Sequence, residues 1–271
     1  MDAADRRKDI HIAPFSLFRN VIEHIDSVDV LLQSACVPAS RAPLRVALES
    51  RWQLEYLLAS DQTKFSQRSL SWLCAFYRAK LNEVETVDDP NQAGREFHDA
   101  WETQFGAIAP LEPSPDQTKR ERDYYLKSLS AARLGPIQIE LDRHPTRAPW
   151  FQAFDGPPNL RELCRRLGKL VEYDTVYRSL SMLSHGFDAE EYITVVADGK
   201  ASVRLVRDPR DLPEVALLAC FTQLGATRLL LSFYRGGEQL QSWYQREVKP
   251  KIIALHNLRG KIGIRYSLKE T

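Results

Sequence analysis

Apolar residues recur at helical spacing through most of this chain. Phe15, Phe18, Ile22, Ile25, Val28 and Leu32 follow Pro14 at the period of one helix face. Pro43 is read as the opening of a second helix, running to about Ser60. A third is expected from about Ser66 to Glu85, with Leu70, Leu73, Cys74, Tyr77, Leu81 and Val84 as its buried stripe. A fourth spans about Pro90 to Phe105 and carries Phe97, Ala100, Trp101 and Phe105. Ala109-Pro110-Leu111-Glu112-Pro113-Ser114-Pro115 breaks the pattern and reads as a connector. A charged helix follows, about Asp116 to Arg133. Leu134 to Pro158 holds five prolines and no clear period, so it reads as a long loop. With Trp150, Phe151 and Phe154 in it, that loop is either a lid over the core or a wall of a binding cleft.

Asn159 is placed to cap a helix ending at about Gly168, and Asp174 to cap the next, which Gly186 closes. Two β-branched runs, Tyr192 to Val196 and Ser202 to Val206, flank the dipeptide Asp198-Gly199, the pattern of a hairpin. Pro213 opens a strongly apolar helix to about Tyr234, stopped by Gly236-Gly237, and a last helix from about Glu238 to Leu258 is expected to bend at Pro250. The expected fold is therefore an all-α helical domain with one small β-hairpin at about residues 191–207. It reads as a single domain over 1–271, with sub-halves 10–108 and 116–260 on either side of the Pro-rich connector.

Composition narrows the classes. At 271 residues and 44% hydrophobic, the chain can bury a substantial core. Its 37 Lys and Arg against 36 Asp and Glu leave a net charge of +1, so no global basic field marks a nucleic-acid binder. Charge is uneven locally. Residues 245–271 carry seven basic side chains against two acids, and Arg161, Arg165, Arg166 and Lys169 form a second cluster; either can follow an RNA backbone without reading sequence. No apolar run is read as approaching the ~20 residues of a membrane span, and the charged stretch Met1 to Asp9 is not followed by a signal-peptide core. Cys36, Cys74, Cys164 and Cys220 have no paired spacing and read as reduced core residues of a cytoplasmic protein.

The chemistry-bearing stretch is Tyr177-Arg178-Ser179-Leu180-Ser181-Met182-Leu183-Ser184-His185-Gly186. Arg178 and His185 lie two helical turns apart, on one polar stripe and roughly 10 Å from each other along the axis, with Ser181 between them. Val176, Leu180 and Leu183 make a separate apolar face. An imidazole in a last helical turn is favoured as imidazolium and suits a proton donor. A guanidinium forks onto phosphate oxygens. The same two residues also fit a structural role, one on a carbonyl and the other on an acid. Arg45 and Glu49 form an i,i+4 pair whose stripe continues through Trp52 and Tyr56. That pair reads as a pin between helices, as an orienter of a catalytic group, or as an anion contact. The chain has no phosphate-binding glycine loop, dinucleotide fingerprint, zinc-protease helix or nucleophile elbow. Its six histidines show no metal-ligand spacing, so neither a metal nor a cofactor is expected.

Arg178, six intervening residues and His185 resemble the R-x(4–6)-H motif of the HEPN superfamily, the higher-eukaryote and prokaryote nucleotide-binding helical domains. More closely, Arg45-x-x-x-Glu49 followed by Tyr177-x-x-Leu180-Ser181-x-x-x-His185-Gly186 resembles an uncharacterised family of bacterial helical proteins discussed as HEPN-like. The likeness covers roughly Arg45 to His185. The chain departs from a minimal HEPN domain in its length, its Pro-rich insert, and Ser179 where an Asn or Asp often follows the motif arginine. The resemblance implies a metal-independent endoribonuclease associated with toxin or phage-defence systems. Arg178, His185 and Ser181 would be its catalytic residues, with Arg45, Glu49 and Tyr177 in support. It also implies RNA, an antitoxin or a defence protein as partner, and a homodimer with a composite site. The rival class is a non-catalytic helical interaction module in which both motif residues are structural.

Overall fold

The computed structural model describes residues 9–59, 61–88, 92–106, 115–145, 148–184, 193–195, 201–203, 206–234 and 241–258. They are mostly helical. In chain order the helices are α1 (Ile12–Gln33), α2 (Val37–Leu58), α3 (Gln62–Asp88), α4 (Gln92–Phe105), α5 (Pro115–Leu129), α6 (Gly135–Asp142), α7 (Leu160–Arg166), α8 (Leu170–Glu172), α9 (Arg178–Ser184), α10 (Leu212–Phe233) and α11 (Lys249–His256). A π-helical turn, Tyr173–Tyr177, joins α8 to α9 without a break, and another, Tyr244–Val248, leads into α11. The second lies one turn ahead of Pro250, whose ring has no N–H to give. Ile193–Val195 (β1) pairs antiparallel with Ala201–Val203 (β2), Thr194 opposite Ser202. The Asp198-Gly199 turn expected between them lies outside the described residues.

Contacts divide the chain into two compact units, Met1–Asp61 with Asn159–Thr271, and Gln62–Pro158. In the first, α2 packs on α1, α10, α9 and α7. Leu44, Leu48, Trp52, Leu54 and Leu57 of α2 are buried, as are Leu17, Val21 and Val28 of α1, Ala226 and Leu230 of α10, and Leu163 and Cys164 of α7. The second unit centres on Leu73, Cys74 and Tyr77 of α3, packed with Leu129, Leu134 and Ile137.

Several expectations change. The α1 core face is Leu17, Val21, Val28 and Leu32, whereas Phe15 and Ile22 from the expected stripe are exposed. Pro43 lies inside α2, which begins two turns earlier at Val37 with Pro38 in its first turn. The stretch 134–158 is not one loop. It contains α6 and a 3-10 turn at Trp150–Gln152, and Leu134, Ile137, Trp150 and Phe151 are buried. Pro136 in the first turn of α6 starts that helix where a scan for breakers reads loop. Asp174 caps nothing: it lies within the π turn, and its carboxylate takes two hydrogen bonds from Arg161 at 3.0 and 3.2 Å. Finally, α10 is long and apolar enough, by length and composition alone, to cross a membrane; here it packs against α1 and α2.

The ends of α7 follow the residues. Asn159 accepts a hydrogen bond from the Glu162 amide at 2.9 Å, a side-chain N-cap. At the other end Gly168 takes φ +69°, and the amides of Lys169 and Gly168 reach back to Cys164 and Arg165 at 2.7 and 3.0 Å. That six-to-one and five-to-two pair is the Schellman closure, and the left-handed residue it needs is cheapest as glycine. Asn159→Ala should lower stability by about 1 kcal/mol. A urea midpoint unmoved by that change would show the cap to be dispensable.

Candidate functional site

The site forms where α9 and the π turn before it pack on α2. Glu49 sits on α2 one turn beyond Arg45, and its Oε1 accepts from Arg45 Nε at 3.1 Å and from the Tyr177 hydroxyl at 2.7 Å. Arg45 Nε also lies 3.2 Å from that hydroxyl, and its guanidinium carbon stands 5.2 Å from the centre of the Tyr177 ring. Three side chains thus close a triangle around one carboxylate oxygen, although Tyr177 is 128 residues from Glu49 in sequence.

Electrostatics keep the triangle in one protonation state. Burial pushes the Tyr177 phenol well above its ordinary value, and the hydrogen bond to Glu49 adds to the shift. The phenol stays protonated and donates. Burial works against the Arg45 charge, but the Tyr177 hydroxyl and the Glu49 carboxylate outweigh it and raise the guanidinium further. Tyr177 is buried, whereas the Arg45 and Glu49 side chains keep about a quarter of their surface, 24% and 27%.

A second carboxylate is held the same way. Glu172 accepts from Arg51 at 3.2 Å and from the Trp52 indole N–H at 3.3 Å. Trp52 is fully buried against both tyrosines of the π turn, 6.3 Å from Tyr173 and 5.7 Å from Tyr177 between ring centres, and those two rings stack at 4.9 Å. Helix α2 therefore supplies Arg45, Glu49 and Trp52 from one face and Arg51 from beside it, and the segment 172–177 answers with Glu172, Tyr173 and Tyr177. The π turn lies within this segment: Glu172 immediately precedes it, Tyr173 and Tyr177 are its first and last residues, and Arg178 follows, exposed.

Arg178 and Ser179 are exposed, Ser181 is half-buried, and Leu180 goes into the core, as the polar and apolar stripes predict. The positive charge of Arg178 helps lower the Asp174 carboxyl, after the larger effect of the Arg161 hydrogen bonds. His185 lies outside the described residues. So the chain brings Arg45, Glu49 and Tyr177 into one cluster and turns Arg178 toward solvent on the next position. Glu172 and Arg51 were missed by sequence reasoning. The signal available was the aromatic i,i+4 pair Tyr173 and Tyr177, which matches Trp52 and Tyr56 on α2. The basic cluster after Asn159 is partly neutralised, because Arg161 pairs with Asp174 and Arg165 with Glu162. Cys164 is buried nearby, and burial pushes its thiol up to about 12, too high for a nucleophile at neutral pH. Among the described residues, no three His, Cys, Asp or Glu side chains gather as metal ligands.

The model of one protein family matches residues 11–200, a span that holds both halves of the cluster. The chain belongs to the DUF5677 family. That family is described as one of unknown function. No curated protein and no solved structure matches the chain. For this DUF5677 protein the match ties α1, α2 and the segment through β1 into one unit of descent, since Arg45, Glu49, Tyr177, Arg178 and Ser181 all fall inside it.

Proposed function

We propose that this protein is a HEPN-like, metal-independent RNA-cleaving protein, working as a cytoplasmic homodimer in a toxin or phage-defence setting. One observation carries the reading. The helix bearing Arg178 is anchored on α2 through Tyr177, Glu49 and Arg45, while Arg178 itself is exposed on the adjoining position. An outward guanidinium on an anchored helix supports reading Arg178 as a phosphate clamp. In the proposed reaction the RNA 2′-hydroxyl, giving up its proton to solvent water, attacks the neighbouring phosphorus to form a 2′,3′-cyclic phosphate, and the bond to the 5′-oxygen breaks. His185 gives the departing oxygen its proton, Arg178 holds the non-bridging oxygens, and Ser181 lies between them on the stripe. Arg45, Glu49 and Tyr177 position the helix and do not touch RNA.

The test is cleavage of a labelled single-stranded RNA by the purified protein, with EDTA present and absent. We expect cleavage in both, a loss of about 100-fold or more with His185→Ala, and little recovery with Arg178→Lys, since a point charge cannot fork onto two oxygens. Arg178 is exposed, so its variants should melt with wild type. Cleavage kept by His185→Ala, or abolished by EDTA, would overturn the mechanism. If wild type cleaves no RNA, the reading passes to a non-catalytic helical interaction module. The closed hydrogen-bond triangle around Glu49 fits that class equally as a purely structural pin.

A further inference from the structure

A groove of about 510 Å³ opens on the first unit between α2, the α7–α8 junction and α10. Arg51, Lys169 and Arg228 converge on it, over an apolar floor that includes Leu58, Leu229 and Phe233. Glu55 is the single acid in its lining. We propose that this groove binds a small organic phosphate, its head among the three cations and its apolar body on the floor. The proposal is independent of the RNA-cleavage reading, because none of these residues belongs to the Arg45–Glu49–Tyr177 cluster or to the Arg178 stripe.

Three observations carry it. First, Arg51 is committed to one acid only. Its Nη1 reaches Glu172 at 3.2 Å, and because its Nε is buried against α10 at Gly225, only the Nη edge of the guanidinium can meet a ligand in the groove. Second, Gly225 of α10 is what lets the guanidinium lie there: a Cβ at that position would stand 2.8 Å from Arg51 Nε. The close approach of this arginine to the helix is thus built into the residue choice. Third, Lys169 and Arg228 make no ion pair among the described residues, although Glu55 shares the groove with them. Glu55 in the lining and Glu172 behind Arg51 leave one positive charge in excess. A concavity of this size with an apolar floor and convergent donors is the form of a small-molecule site. Arginine and lysine together favour a phosphate head, which takes a fork and a point charge at once.

The probes are phenyl phosphate, inorganic phosphate and phenol, titrated calorimetrically into the full-length protein. Phenyl phosphate should bind in the millimolar range or tighter, inorganic phosphate several-fold more weakly for want of the apolar body, and phenol not measurably. Added salt should weaken phenyl phosphate binding. The double variant Lys169→Ala, Arg228→Ala should weaken it about tenfold or more with an unchanged melting temperature, as neither side chain holds an ion-pair partner among the described residues. Lys169→Glu, Arg228→Glu should abolish it. The proposal is overturned by no binding of phenyl phosphate at about 10 mM, by equal affinity in wild type and the double alanine variant, or by phenol binding as well as phenyl phosphate. RNA cleavage should be unchanged in the single variant Arg228→Ala, so failure here and failure of the nuclease reading are read on separate assays.

Discussion

Trp52→Ala should destabilise the protein by about 3–5 kcal/mol, the cost of removing a large buried aromatic from a packed core. Trp52 has no exposed surface, and it touches both Tyr173 and Tyr177. It also gives its indole N–H to Glu172, which then keeps only the Arg51 bond. Alanine would therefore leave a cavity under the π turn and strip one donor from a half-buried carboxylate. Trp52→Phe separates the two losses. It keeps most of the ring and should cost about 1–2 kcal/mol, mainly for the hydrogen bond and the unfilled edge. Urea midpoints measure both. If Trp52→Ala stayed within about 1 kcal/mol of wild type, α2 would not be the platform on which the α8–α9 segment rests.

Glu49→Ala should cost about 2–3 kcal/mol, because it removes the acceptor shared by a buried phenol and a guanidinium. The figure sits below that of a fully buried pair, since Arg45 and Glu49 each keep about a quarter of their surface in water. Tyr177 has less relief: its hydroxyl lies against Arg45 and loses the only carboxylate it bonds to among the described residues. A double-mutant cycle with Tyr177→Phe should return a coupling of about 1 kcal/mol or more, because the same hydrogen bond is lost in both single variants. Additive losses would show that the phenol and the carboxylate act separately. A thermal melt unmoved by Glu49→Ala would show the pair to be superficial.

Both predictions concern contacts between segments that lie more than a hundred residues apart, and they mark how far the chain can be read from its residues. Helical period placed α3, α7 and α10 to within a few residues, and two of them also carry end signals that act locally: Asn159 and Gly168 at the two ends of α7, and Pro213 in the first turn of α10. It failed where two phases compete. In α1, Phe15 and Ile22 obey the same spacing as Leu17 and Val21, and only the helices packed beside it decide which set is buried. It failed again where a proline was read as a boundary. Pro43 sits inside α2, where tertiary packing of Leu44, Ala47 and Leu48 outweighs one missing hydrogen bond.

The candidate site divides along the same line. Spacing alone was enough to put Arg45 with Glu49, and Arg178 with Ser181 on a polar stripe, because pairs within two turns of a helix are set by its geometry. That Tyr177 would reach Glu49, that Glu172 would take Arg51 and Trp52, and that Asp174 would turn out to Arg161 instead of capping a helix was decided by contacts between segments distant in sequence or in separate helices. Local periodicity thus sets which residues share a face, and the packing of distant helices chooses which face meets which partner.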